Sequence, residues 1–440
     1  MLLLSDLTKG ECGLKIGTKR PLVISISVGL ILTGILTGCG AAGQREAVEP
    51  SGETKEAVET VGITFVDQLE VEEPARVTIQ EQMKIEEEPE EADYRDVMAA
   101  LLSDMYGDYR EEGGEIAFVP DGALIDGIYN ENIYDGICMY ALAAGVSFSY
   151  YGVEGESLQD YRDALVHAVD NQARIIVCSG ENFQKAVYEL QNEYPQISFL
   201  LIDGVPEDES GEAADVADNV HCVTFQEEQA GYLAGYMAVM EGYRRFGFIG
   251  GVESAPVIRY GYGYLQGIDD AAGSMAIEDV SVKYWYAGTY EPGQEILDKA
   301  SAWYEDGTEV IFACGGRLYE SVVEAAEEKG GMMIGADMDQ CRESECVLTS
   351  AVKDIANAVI ISLDDYYAAG GRWSENFAGQ VQRCGAKENC TGLPVLNTEW
   401  RFENITIDEY YEVFHQVRRG EIEVSDVVDV RPQVSVTVEY

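Results

Sequence analysis

The sequence predicts an α/β protein of two lobes, each a mostly parallel sheet covered by helices, and three observations carry that prediction. From Gly114 onward, apolar runs of strand length alternate with longer runs of helical period, the pattern of βα units covered on both faces. The runs are too many for one small sheet, and 440 residues suffice for two full cores. The apolar runs also end repeatedly in Asp or Gly, as in Ile202-Asp203-Gly204, Cys314-Gly315-Gly316 and Ala336-Asp337. Ligands of open α/β sheets sit outside the carboxyl ends of the strands, so two lobes with a polar cleft between them is the economical arrangement.

Two segments precede this pattern. Residues 1–38 form a targeting segment: Lys15, Lys19 and Arg20 flank an apolar stretch over 21–36, and small residues close it. The tetrapeptide Leu36-Thr37-Gly38-Cys39 resembles a bacterial lipobox. That resemblance implies cleavage before Cys39, lipidation of its thiol and retention on the outer face of the cytoplasmic membrane; an uncleaved anchor is the competing reading. Residues 39–114 carry runs such as Glu86-Glu87-Glu88-Pro89-Glu90-Glu91 and few aromatic residues, the composition of a disordered acidic tether. A helix is expected over 93–109, with Val97, Leu101 and Met105 on one face.

The body opens with Ile116–Val119, a buried strand handed to a loop by Pro120-Asp121-Gly122. A helix is expected from Tyr129 through Ile137. Further strands are expected over 146–150, 174–178, 197–202 and 221–225, then over 246–249, 280–286, 309–313, 332–334 and 347–348. Ser157 caps a helix over 157–170 that turns Leu158, Tyr161, Leu165 and Val169 inward. Helices over 183–194, 295–305 and 319–329 stop at or near Pro195, Gly307 and Gly330. Glu227, Glu228 and Gln229 read as the start of a capped helix. Gly261, Gly263 and Gly267 lack dinucleotide-binding spacing and read as helix-packing positions.

Charge and cysteines narrow the function. The net charge of −51, from 80 acidic and 29 basic side chains, repels phosphates and anionic lipid, so nucleic acid is not an expected partner. Cys138, Cys178, Cys222 and Cys314 lie singly in apolar runs and read as small hydrophobes. Cys341 with Cys346, and Cys384 with Cys390, are close pairs in polar sequence and are candidate disulfides in an exported protein. Zinc is a poor alternative, because the spacing is wrong and the chain has 3 histidines. No cofactor or metal is expected.

The candidate ligand contacts lie at strand ends. They are Asp121, followed by Tyr129 and Asn130; Asp203; Tyr290 in Ala287-Gly288-Thr289-Tyr290; Gly315; Asp337; and Lys353 as the strongly placed cation. Carboxylates, an aromatic plate and an amide suit a flat, polar, hydrogen-bonding small molecule. On its own stretch, Asp121 reads more readily as a helix cap and Tyr129 as a core residue. No nucleophile–base pair stands out, so a hydrolase is the lesser alternative.

Taken in order, these segments resemble the basic membrane protein family of ABC transporter substrate-binding lipoproteins, purine nucleoside receptors among them. The resemblance rests on VPD…YN…YDG, FLLID, EEQAGYLAGYMAVM, FGFIGG with VIRYGYGYLQGI, YAGTY, FACGG, IGADMDQ and LTSAVKD, and it runs from about residue 115 to 427. It implies two Rossmann-like lobes of the type I periplasmic-binding-protein kind, joined by a multi-strand hinge and closing on a nucleoside for an ABC permease. The expected division is 115–243 plus 349–380 for the first lobe and 244–348 plus 381–440 for the second. The resemblance further implies that Tyr129 and Tyr290 sandwich the base, that Asp121 and Asp203 meet its edge, and that Gly315, Asp337 and Lys353 hold the ribose. Two departures bear on base preference: a shorter Asp121–Tyr129 loop, and tyrosine where phenylalanine is commoner. A ligand sensor without transport, or a sugar receptor of the same fold, fits the same residues.

Overall fold

The computed structural model describes residues 110–440 apart from 111, 123, 125–128 and 397. The targeting segment, Cys39, the acidic tether and the helix expected over 93–109 therefore lie outside the described residues. The first sheet contains β1 (Ile116–Val119), β2 (Phe148–Tyr150), β3 (Ile175–Ser179), β4 (Ser198–Ile202) and β5 (Val220–Phe225). The second contains β6 (Arg245–Gly250), β7 (Ser281–Tyr286), β8 (Val310–Cys314), β9 (Met332–Asp337) and β10 (Val347–Lys353). Three shorter strands complete them: β11 (Gln380–Cys384) joins the first sheet, and β12 (Thr391–Gly392) and β13 (Thr437–Glu439) join the second.

Both sheets have the same plan. Their orders are β11-β5-β4-β3-β1-β2 and β12-β10-β9-β8-β6-β7-β13, and every pairing is parallel except that of β12 with β10. A parallel sheet needs helical crossovers that cover both of its faces, which is why β1, β3 and β4 are buried at every position and apolar at all but Ser179 and Ser198. Ile116 and Phe118 face α1 (Tyr129–Ala144) and α8 (Ile355–Ala368). Ala117 and Val119 face α2 (Leu158–Asp170) and α3 (Gln184–Glu193). In the second lobe, Phe246 and Phe248 lie against α4 (Glu227–Glu241) and α5 (Ala255–Ser274), with α9 (Ile407–Arg418) extending that core. Ile249 and Ile311 meet α6 (Gln294–Glu305) and α7 (Tyr319–Lys329) on the opposite face. Ser157 caps α2 in a capping box with Asp160, as expected, but Leu158 points to solvent.

The lobe boundaries differ from the expected division. Helix α4 belongs to the core of the second lobe, so the first crossing falls at Gln226 rather than after residue 243. Strand β10 runs unbroken to Lys353 in the second sheet, which moves the next crossing to Asp354. Strand β11 pairs with β5, so 381–384 belong to the first sheet. The error has a physical origin: strand-to-helix alternation continues across a crossing, and nothing in the local pattern marks a change of sheet. The three crossings run side by side, with Gln226 N–H donating to Cys384 O at 2.9 Å and Asp354 N–H to Cys390 O at 2.7 Å.

Helices α4 and α5 touch backbone to backbone. A Cβ on Gly267 would lie 2.0 Å from Tyr232 O, and one on Gly231 would lie 2.1 Å from Tyr260 O. Helix packing is therefore the role of these glycines, and the contact fixes the first turn of α4 beside the first turns of α5. Gly267→Ala should destabilise the protein by about 1–3 kcal/mol through overpacking. An unchanged denaturation midpoint in that variant would show that the helices separate freely.

Candidate functional site

Neighbour order reverses between β1 and β3 in the first sheet and between β6 and β8 in the second. Crevices at such switch points, outside the strand carboxyl ends, are where ligands of open α/β sheets bind. Asp121 leaves β1 at the first of them. Tyr161 Oη donates to its Oδ1 at 2.6 Å, and Asn182 Nδ2 donates to its Oδ2 at 2.8 Å. Asn130 Nδ2 donates to the Asp121 carbonyl at 2.9 Å while its Oδ1 accepts from Ser179 Oγ at 3.0 Å. Each carboxylate oxygen can accept a second hydrogen bond, so Asp121 both anchors its loop and offers acceptor capacity to a ligand. It does not cap α1.

The other polar residues meet at the seam between lobes. Asp203 directly follows β4 in the first lobe and Asp337 ends β9 in the second, both in left-handed backbone conformations with φ of 52° and 66°. Such conformations are uncommon outside glycine, although Asp and Asn adopt them more readily than most residues. The two carboxylates converge on Lys353 at the end of β10. Its Nζ donates to Asp203 Oδ2 at 2.7 Å and lies 3.5 Å from Asp337 Oδ1 and 3.8 Å from Glu227 Oε1. Lys353 is only 4% exposed. Burial opposes its charge, but Asp203, Asp337 and Glu227 outweigh burial and hold the ammonium above its ordinary range. The rings of Phe225 and Tyr129 lie 5.3 and 5.5 Å from the same nitrogen. Burial, followed by the Asp203 charge, pushes the Tyr129 hydroxyl well above its usual range. It is therefore a neutral donor, directed weakly at Ile202 O at 3.4 Å.

On the second lobe, the Tyr290 ring rests against Gly251 and Gly315, Gly316 lies under its Cβ and backbone, and its hydroxyl lies 3.2 Å from Ser254 Oγ. Tyr290 is 39% exposed. Gly315 has a φ of 117°, and a Cβ there would come within 3.0 Å of the Tyr290 ring, so this glycine seats the aromatic.

The structure thus gathers Tyr129, Asp203, Asp337 and Lys353 into one cluster, with Asp121 and Asn130 on the first lobe and Tyr290 with Gly315 on the second. Sequence reading missed Tyr161, Asn182, Arg259 and Tyr260; it placed Glu227 correctly at a helix start but expected a capped helix there rather than a buried charge. Gln226 makes no side-chain cap to α4. Glu227 is instead fully buried, its Oε2 accepting from Arg259 Nε at 2.6 Å. Tyr260 Oη donates to Asp337 Oδ1 at 3.3 Å. Glu228 is buried too, and burial pushes its carboxyl up to about 7 against the pull of Arg383. A signal was available: α4 has no polar face, so two charges at its start had to be buried and paired. The two candidate disulfides are not formed, and all four cysteines are free thiols. Cys341 Sγ lies 3.3 Å from Asp339 Oδ2, whereas Cys346 packs under the opposite face of the second sheet. Cys384 and Cys390 are neighbours as buried thiols.

Two parallel-sheet lobes, crossed three times by the chain and meeting at a buried polar seam, define a class of two-lobed solute receptors. The chain belongs to one family within that class: residues 114–423 match Bmp, the PnrA-like substrate-binding proteins of ABC transporters. It is a solute-binding protein, not an enzyme. The chain is 27% identical over 303 residues to Basic membrane protein B of Borreliella burgdorferi, covering 67% of this chain and 84% of that protein. It is 24% identical over 258 residues to the ABC transporter nucleoside-binding protein BmpA of Lactococcus lactis, covering 53% of this chain and 69% of that one. Among solved structures, an ABC transporter solute-binding protein from Aeropyrum pernix superposes with a TM-score of 0.58 at 20% identity, over 72% of this chain and 93% of the other. No helix of the described residues is long and apolar enough to cross a membrane.

Lys353→Met removes the cation from among three carboxylates. Breaking a buried ion pair on one side costs about 3–5 kcal/mol, and that loss is expected near neutral pH. The unpaired carboxylates would bind protons more tightly in the folded state than in the unfolded one, so stability should recover as pH falls. Denaturant midpoints at about pH 5 and about pH 8 read the difference. An equal deficit at both would mean that Lys353 contributes packing rather than charge.

Proposed function

We propose that this chain is a lipid-anchored, extracytoplasmic receptor that captures a nucleoside, a purine nucleoside first among them, and delivers it to an ABC permease. The observation that carries this reading is the seam itself. Lys353 and Asp337 supply a donor and an acceptor for the hydroxyls of a ribose, with Asp203 and the Tyr129 ring beside them. In the proposal Tyr129 and Tyr290 stack on opposite faces of the base, Asp121 and Asp203 accept from its edge, and Gly315 lies under the sugar. The nucleoside-binding relative from Lactococcus lactis supports the ligand class. Stacking from two lobes couples capture to closure, because only the closed state offers both faces. The targeting segment and Cys39 support anchorage at the outer face of the membrane.

Titration calorimetry on ligand-stripped protein tests the ligand class, with adenosine, uridine, adenine and ribose as probes. Adenosine should bind much more tightly than adenine or ribose. Tyr290→Ala should weaken it by about 1–3 kcal/mol, roughly tenfold to a hundredfold. Ribose binding as tightly as adenosine would defeat the stacking arrangement and favour a sugar receptor.

Attachment is tested separately with Cys39→Ser. That variant should be released to the medium or accumulate unprocessed. Normal processing and unchanged membrane retention would refute the lipid anchor.

A further inference from the structure

Glu227 is the feature of the seam that the ligand assignment leaves unused. It opens α4 at the first crossing between lobes and is 0% exposed. Arg259 Nε holds Oε2 at 2.6 Å, yet Oε1 has no hydrogen-bond partner. That oxygen lies 3.8 Å from Lys353 Nζ, within reach of its charge but beyond a hydrogen bond. An unsatisfied, fully buried carboxylate oxygen costs free energy, and α4 is locked in place by its glycine contact with α5. Its position is therefore imposed by the fold.

We propose that Glu227 is a positioning residue for ligand capture: it holds the Lys353 ammonium at the seam by charge, without consuming a proton that the ligand needs. The proposal rests on the reading that the seam is the ligand site. Of the three carboxylates around Lys353, Asp203 takes a hydrogen bond directly and Asp337 stands at 3.5 Å. Glu227 draws the ammonium toward the crossing from a third direction, and Arg259, with its side chain 15% exposed, braces the carboxylate from behind. Without that pull, Lys353, already bonded to Asp203, would be free to turn further toward it and away from Asp337, leaving that carboxylate underpaired.

The groups facing Glu227 are Lys353 from β10, Arg259 and Tyr260 from α5, Asp203 from β4, Cys314 from β8 and Glu228 on its own helix. Burial raises its carboxyl, and Lys353 and Arg259 only partly offset this. Glu227 should therefore take up a proton at a higher pH than an exposed carboxylate. In that interval the folded state binds more protons than the unfolded one, so the proton stabilises the fold as pH falls. The same proton removes the pull on Lys353 and weakens capture. Stability and affinity should thus respond to Glu227 protonation with opposite signs, which a purely structural acid would not produce.

The test is adenosine titration of the full-length wild type, Glu227→Gln, Glu227→Asp and Arg259→Gln from about pH 8 down to about pH 5, with melting curves at each pH. Wild type should lose affinity as pH falls. Glu227→Gln should bind about tenfold more weakly near neutral pH, with a flatter pH response. Glu227→Asp should recover part of both, and Arg259→Gln, which removes part of the offset to burial and so favours protonated Glu227, should weaken binding and move the loss of affinity to higher pH. Should Glu227→Gln fail to fold, Arg259→Gln and Glu227→Asp read the same coupling. Variants that melt earlier but keep wild-type affinity and pH profile would overturn the positioning role and leave the nucleoside reading intact. A wild type that binds no adenosine, uridine or ribose would overturn the ligand reading itself.

Discussion

A single buried ammonium ties the molecule together. Lys353 sits at the end of a strand of the second lobe, donates to Asp203 of the first, and stands among Asp337, Glu227 and two aromatic rings. Removing a charge from water costs several kcal/mol unless other charges and hydrogen bonds replace the lost hydration. The replacement here comes from elements of both lobes, including the helix that starts at the first crossing. The residues that make the seam polar enough for a ligand are thus the same ones that keep the ammonium charged.

The framework around that ammonium is stiff where the chain crosses and open where the strands end. Backbone hydrogen bonds link Gln226 to Cys384 and Asp354 to Cys390. Arg383, on the edge strand of the first sheet, reaches Glu228 at the start of α4 and pairs with Asp426 of the C-terminal segment. Close glycine contact between α4 and α5 leaves no freedom to slide Glu227 or Arg259 relative to each other. Tyr290, by contrast, is held by glycines and one hydroxyl and remains partly exposed.

The two lobes are built to the same order but not to the same chemistry. Asp203 and Asp337 occupy matching strand ends, as do Gly180 and Gly315, which follow β3 and β8 with positive φ of 94° and 117°. At the remaining tip the lobes diverge. The first places a carboxylate there, Asp121 held by Tyr161 and Asn182, and the second places glycine against Tyr290. Equal scaffolds with unequal tips thus place a carboxylate on one side and an aromatic ring on the other.

The sequence by itself determined the α/β class, the repetition into two lobes, the strand positions and the strand-end residues Asp121, Asp203, Gly315 and Asp337. Apolar periodicity and chain breakers are local properties, and parallel sheets express them directly. The packing role of Gly267 was legible for the same reason. Tertiary structure alone decided which sheet each strand joins, hence the crossings at Gln226 and Asp354. It also decided that Glu227 is buried beside Lys353, more than a hundred residues away in the chain, and that Asp121 is shared with Tyr161 and Asn182. Ion pairs and side-chain hydrogen bonds between distant segments leave no period in the sequence. They exist only once the fold has brought their partners within a few ångströms, where burial forces every charge to find its counterpart.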